Sequence, residues 1–237
     1  MSGHSHWATI KHKKAKEDAK RGLAFTKIIK EITVAARVGG GDPNGNPRLR
    51  LLLDKARDLN MPLENAQRAV KKGTGELPGV SYEEYTYEGY GPGGMAVLIE
   101  TLSDNKNRTV AELRHLCSSK GGTLGESGSV AWMFERMGVV RASGNTTEDE
   151  LMELLLDYDV QNITVDDSLA VIYCDPKSLD VVRKAVADHG LKVESTEIEW
   201  VAKNTIELSG ELKDKAYEFL SAIQDHDDVK NVFANLG

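Results

Sequence analysis

The chain has 237 residues with 30 Lys and Arg against 37 Asp and Glu, a formal net charge of −7. Its 40% hydrophobic and 28% charged content is that of an ordinary folded protein, not a disordered or membrane-embedded one, and its length favours two or three small domains. No run approaches the ~20 apolar residues that cross a bilayer, the N-terminus lacks an apolar signal core, and Cys117 and Cys174 are too few for a disulfide framework, so a cytoplasmic location is expected.

Charge is unevenly spread. Residues 1–75 hold ten Lys and six Arg against seven Asp and Glu, a balance of +9, whereas the other 162 residues sum to −16. Such asymmetry points to a polyanion as the partner of the basic part. Residues 2–13 mix Ser, Gly and His with one Trp and show no apolar period, so they read as a basic arm. Trp7 suits either anchoring of that arm on the first helices or stacking on a base. His4, His6 and His12 have no Cys or carboxylate spaced to complete a ligand set. No metal site is expected there, and the histidines are read as lying near phosphates.

From Lys14 the pattern turns helical, with Phe25, Ile28, Ile29, Ile32 and Ala36 on one stripe. Lys27 and Lys30 fall off that stripe and are expected to face water. Gly39, Gly40 and Gly41 end the helix. Asn46 is placed to cap a second helix that opens at Pro47 and buries Leu49, Leu52, Leu53 and Ala56, with Arg48, Arg50, Lys55 and Arg57 on the remaining surface. A third helix from Pro62 to Gly73 is expected to bury Leu63, Ala66 and Val70. The result is a three-helix domain over residues 1–78 with a basic surface. Its candidate phosphate contacts are Trp7, Lys11, His12, Lys13, Lys14, Lys16, Lys20, Arg21, Lys27, Lys30, Arg48 and Arg50.

A linker near Gly73 to Val80 leads to a strand at Tyr82 to Glu88. Gly89, Gly91 and Gly94 satisfy GxGxxG, but the following MAVLIETL reads as a strand where a dinucleotide loop requires a helix, so a hairpin turn is expected. Thr109 and Glu112 suggest a capping box for a helix burying Val110, Leu113 and Cys117. Because His115 and Cys117 are two residues apart on that helix, they face different ways and do not form a nucleophilic pair. Ser127 to Glu135 is expected to be a further strand.

Residues 138–201 alternate as strand, helix, two strands, helix and strand, the split βαββαβ order of a ferredoxin-like domain. Thr147 and Glu150 cap its first helix, and the second holds Leu179, Val182 and Val186. The tail repeats strand (Thr205 to Leu208), helix (Leu212, Ala216, Phe219, Leu220, Ile223) and strand (Val229 to Ala234). The expected fold class is therefore multidomain α+β. The three-helix domain precedes two ferredoxin-like α/β domains, of which 137–202 is inserted into 79–136 plus 203–237. The acidic runs Glu148 to Glu153 and Asp225 to Asp228 lack the ligand spacing of an EF-hand and are expected to be solvated faces.

No P-loop, nucleophile elbow or metal-ligand spacing appears, so no catalytic residue, cofactor or small-molecule substrate is expected. Tyr82, Tyr85 and Tyr87 do not match an RNA-binding aromatic signature, and no sequence-reading helix for DNA is evident. In order, the segments GHSHWATIKHKKAKEDAKRG, FTKIIKEITVAARVGGGDPNGNPRLR, NMPLENAQRAVKKGTGE, YEGYGPGGMAVLIETLSDNKNRTVAELRH, GGTLGESGSVAWMF and DDVKNVF resemble the YebC/PmpR family over nearly the whole length. That resemblance implies a helical N-terminal domain and two α/β domains, one inserted in the other. It also implies either a DNA-binding transcriptional regulator or a ribosome-associated translation factor on ribosomal RNA, a class that includes a mitochondrial translational activator. The family's arm usually reads GHSKW. His6 stands at the Lys position here, and a titratable ring would weaken a phosphate contact near neutral pH.

Overall fold

The computed structural model describes residues 21–166 and 168–237. Within them the fold is mixed α+β, with seven α-helices and two four-stranded antiparallel sheets. The first three helices are α1 (Arg21–Gly39), α2 (Pro47–Asp58) and α3 (Leu63–Gly73), followed by β1 (Glu83–Tyr90), β2 (Ala96–Ser103), α4 (Lys106–Ser119) and β3 (Thr123–Leu124). Then come β4 (Phe134–Ser143), α5 (Glu148–Leu154), β5 (Val160–Asp166), β6 (Leu169–Cys174), α6 (Leu179–Asp188), β7 (Lys192–Ala202), α7 (Gly210–Gln224) and β8 (Val229–Ala234). Phe134–Lys203 is one compact unit, and the chain before it, with Asn204–Gly237 after it, is the other.

The helices α1–α3 close on Ile28, Ile32, Ala36, Leu49, Ala56 and Ala69. Asn46 fixes the corner between α1 and α2. Its Oδ1 accepts from Leu49 N at 3.0 Å, and its Nδ2 donates to the Ala35 and Gly40 carbonyls at 2.9 and 2.8 Å. One buried amide thus caps α2 and ties its start to the end of α1 and the Gly40 turn. Helices α1 and α3 approach so closely that a Cβ on Gly73 would lie 2.3 Å from the Thr33 carbonyl oxygen. Leu63 is not buried as expected but 69% exposed, because the inward face of α3 begins one turn later with Ala66 and Ala69.

The sheet of order β3-β1-β2-β8 carries α4 and α7 on one face, where Val97, Ile99 and Val232 meet Leu113, Phe219 and Ile223. It has the four strands and two helices of a ferredoxin-like layer, but its central strand β1 comes first in the chain and joins β2 by a hairpin. The GxGxxG stretch is that hairpin. Gly93 and Gly94 take φ of 74° and 76°, and a Cβ on Gly91 would meet Met95 Cε at 2.5 Å. The second sheet, of order β5-β6-β4-β7 with α5 and α6 packed on Val140, Ala142 and Ile172, has the split βαββαβ arrangement.

Three expectations are corrected. Residues 127–133 form a loop ending in a 3₁₀ turn (Ala131–Met133), and the strand starts only at Phe134. The cause is Glu88, a buried carboxylate that accepts the amides of Gly128, Val130 and Ala131 at 2.6, 2.7 and 2.8 Å. Those amides are therefore unavailable to a ladder. Burial pushes the Glu88 carboxyl up, but the three amides outweigh it and hold the group below its ordinary value. Thr205 to Leu208 is no strand, because only Ile206 bridges, to Leu236. Helix α4 is capped by Asn105, whose side chain accepts from Arg108 N, one turn before the expected Thr109. By contrast, Thr147 and Glu150 do form a reciprocal capping box on α5.

Candidate nucleic-acid interface

The expected phosphate contacts divide sharply. Trp7, Lys11, His12, Lys13, Lys14, Lys16 and Lys20 lie outside the described residues, as does the side chain of Arg21. Lys27 and Lys30 do not face water. Lys27 is half-buried and donates to the Gln224 carbonyl at the end of α7, while the Lys30 ammonium is buried on Asp228. Arg48 is exposed but paired with Glu84 at 2.6 Å. Arg50 is exposed.

On α3 the sequence reading missed three cations. Arg68, Lys71 and Lys72 stand at spacings of three and four, so they share the exposed face opposite Ala66 and Ala69. Lys71 and Lys72 occupy the last turn, where the helix dipole favours positive charge. Among the described residues, neither these three nor Arg50 forms an ion pair with a carboxylate. Four unneutralised cations on α2 and α3 can each offer donors to phosphate oxygens. The signal that could have found the α3 set is the i, i+3, i+4 spacing of basic residues opposite its small inward ones.

The cations of α1 are used internally. Asp228 Oδ1 accepts from Lys30 at 2.5 Å, and its Oδ2 lies 2.8 Å from Arg108 Nη2, 2.7 Å from Thr109 Oγ1 and 3.2 Å from Ser103 Oγ. Lys30 also donates to the Asp227 carbonyl at 3.1 Å and sits 5.6 Å from the Tyr82 ring centroid. Burial raises the Asp228 carboxyl, but the bonds from Lys30, Arg108 and Thr109 overcome it and hold the group far below the usual carboxylate range. The end of the acidic run 225–228 is thus a buried hub rather than a solvated face, although Asp225 and Asp227 are exposed.

Glu112, His226 and Asp228 bring ligand atoms within 4.8 Å of one another. Each is already engaged. His226 Nδ1 accepts from Asp228 N at 3.1 Å, its Nε2 meets Glu112 Oε2 at 3.1 Å, and Asp228 holds two side-chain cations that a metal ion would have to displace. The set reads as a hydrogen-bond network. Burial raises both thiols, Cys117 and Cys174, to about 11, which leaves them protonated at neutral pH.

The comparisons with known proteins agree with this architecture. Residues 5–76 match the TACO1/YebC protein N-terminal domain, and residues 82–236 match the TACO1/YebC second and third domain. The chain belongs to the TACO1/YebC family. A probable transcriptional regulatory protein of Chlorobaculum tepidum is 53% identical, with 100% of this chain and 95% of the relative covered. One from Pelodictyon phaeoclathratiforme is 52% identical over the same shares, 100% and 95%. The crystal structure of a conserved hypothetical protein from Aquifex aeolicus superposes with a TM-score of 0.86 at 42% identity, covering 98% of this chain and 97% of that one. No helix among the described residues is long and apolar enough to cross a membrane.

Proposed function

We propose that this family member is a cytoplasmic regulator of transcription. It grips the phosphate backbone of DNA with its helical N-terminal domain, taken as residues 1–78, and performs no catalytic turnover. The observation that carries this reading is the set Arg50, Arg68, Lys71 and Lys72, exposed and without ion pairs among the described residues, in a region of balance +9. The relatives' shared name, probable transcriptional regulatory protein, supports the regulatory role. Lys11, Lys13, Lys14, Lys16 and Lys20, with Trp7, His12 and Arg21, are proposed as further phosphate contacts from the sequence alone. Arg48 joins them by exchanging Glu84 for phosphate, an exposed pair worth only about 0–1 kcal/mol. Lys27 and Lys30 are engaged inside the protein, on the Gln224 carbonyl and on Asp228, and are not among the proposed phosphate contacts. The α/β domains, 79–136 with 203–237 and the inserted 137–202, carry the opposite charge and are not proposed as nucleic-acid contacts.

Replacing Arg50, Arg68, Lys71 and Lys72 together with Ala is expected to weaken binding of the full chain to unrelated DNA duplexes alike, by roughly 10²-fold or more at low salt. Phosphate contacts position a protein without reading bases, so the loss should not depend on sequence. Fluorescence anisotropy on three duplexes of different sequence checks this, with a ribosomal RNA hairpin alongside because it offers the same phosphates. Undiminished DNA binding would remove these residues from the interface. A variant that loses only the RNA hairpin would move the function to the ribosome.

A further inference from the structure

The inserted unit carries a surface whose features are unfavourable for its own fold. From Ala142 to Pro176 the sequence holds nine Asp and Glu and no Lys or Arg. Within it, α5 and the turn that continues it to Tyr158 bury Leu151 and Leu155 and leave Met152 51% and Leu156 81% exposed. Beside them Asp149, Glu153 and Asp157 recur every four residues, all exposed and none ion-paired among the described residues. Spacing of four places Glu153 beside Asp149 on the helix, and Leu156 and Asp157 follow in the turn just beyond Met152 and Glu153.

Glu148 and Glu150 are explained locally, the first accepting from Val165 N at 3.1 Å and the second closing the capping box at Thr147 N. Asp149, also in the first turn, is favoured by the positive end of the helix dipole, but Glu153 and Asp157 have no such explanation. Like charges close together repel, Glu153 stands in the last helical turn at the negative end of the dipole, and no basic residue in that turn offsets it. A leucine exposed at 81% adds unfavourable apolar hydration at the same place. Repulsion, dipole and exposed apolar area would all be relieved by one kind of neighbour, which is both cationic and apolar.

We propose that Asp149, Glu153, Asp157, Met152 and Leu156 form a docking surface for a cationic amphipathic helix of a protein partner. Its Lys or Arg side chains meet the carboxylate row, and its aliphatic side chains cover Met152 and Leu156. An acidic row repels nucleic acid and anionic membranes, so charge selects a protein segment. An amphipathic helix can present its own i, i+4 apolar stripe to Met152 and Leu156. This surface lies in the inserted unit and stands independently of which nucleic acid the helical domain binds.

The test uses the full chain and a fluorescein-labelled helical peptide built from Leu and Lys with an apolar i, i+4 stripe. Binding should slow amide hydrogen exchange over residues 148–159. Met152→Ser with Leu156→Ser, and separately Asp149→Asn with Glu153→Gln and Asp157→Asn, should each weaken it about tenfold, roughly 1.4 kcal/mol. All five positions are exposed, and relieving the repulsion and the exposed apolar area costs nothing, so neither variant should lower the melting temperature. Protection appearing elsewhere, such as around Asp225 and Asp227, would overturn the proposal. So would a loss confined to the charge variant, which would mark diffuse electrostatic attraction. Concentration-dependent self-association abolished by the same substitutions would make the occupant a second copy and would likewise overturn it.

Discussion

Asp228→Ala is expected to destabilise the protein by about 3–5 kcal/mol, because it leaves the buried Lys30 ammonium without its carboxylate. Arg108 loses the same partner but keeps Asp104 at 3.0 Å and is 43% exposed, so water compensates it. Lys30→Met should cost less than Asp228→Ala, since Asp228 would retain Arg108 and Thr109. Removing both partners should recover part of the loss. The pH dependence follows from the depressed carboxyl of Asp228. The stability it confers is complete above the unfolded carboxylate value near pH 4 and is lost as pH falls towards the lower folded value. Urea unfolding of wild type and Asp228→Asn at pH 7, 5 and 3 should therefore show curves that converge on acidification. A cost below 1 kcal/mol at pH 7, or curves that stay parallel to pH 3, would contradict the hub.

The inserted unit holds a second buried pair whose removal should cost as much. Arg141 on β4 makes a two-pronged bond to Glu199 on β7, with Nη1 to Oε1 at 2.7 Å and Nη2 to Oε2 at 2.9 Å, and the side chains are 1% and 9% exposed. Burial disfavours the Arg141 charge, but Glu199 outweighs it and raises the group's pKa. Tyr173, beside them, is pushed up to about 12 chiefly by burial, so it stays a neutral phenol. Glu199→Ala strands a guanidinium that cannot shed its proton and is expected to cost about 3–5 kcal/mol. Arg141→Met with Glu199→Leu should come back close to wild type or exceed it, since two desolvated charges are replaced by apolar volume. Thermal unfolding of the three variants measures this. A double variant no more stable than Glu199→Ala would show that the pair contributes more than its charges.

Elements governed by local rules were legible in the sequence. Asn46 with Pro47, the Thr147 and Glu150 box, and the stripe Ile28, Ile32, Ala36 state their structure within a few residues. The misreadings arise where a distant group captures the backbone or a charge. Val130 and Ala131 look like strand residues until Glu88, about forty positions earlier, takes their amides. Lys30 looks solvent-facing on its own helix because Asp228, the residue that buries it, lies 198 positions away. Arg141 interrupts the buried apolar run 137–142 of β4, and only Glu199, 58 positions on, shows why it is buried. The basic character of the N-terminal domain was plain from composition. Which cations remain unpaired was not, because pairing is a tertiary property that Arg48 and Lys30 share and Arg68 and Lys72 lack.

The most direct measurement is the salt dependence of duplex binding by the full chain and by the variant lacking Arg50, Arg68, Lys71 and Lys72. Each phosphate contact contributes about 0.9 to the slope of log affinity against log salt on duplex DNA. The expected result is a steep wild-type slope that becomes shallower by roughly 3 to 4 in the variant. An unchanged slope, or wild-type binding that does not respond to salt, would contradict a phosphate-gripping role for this surface.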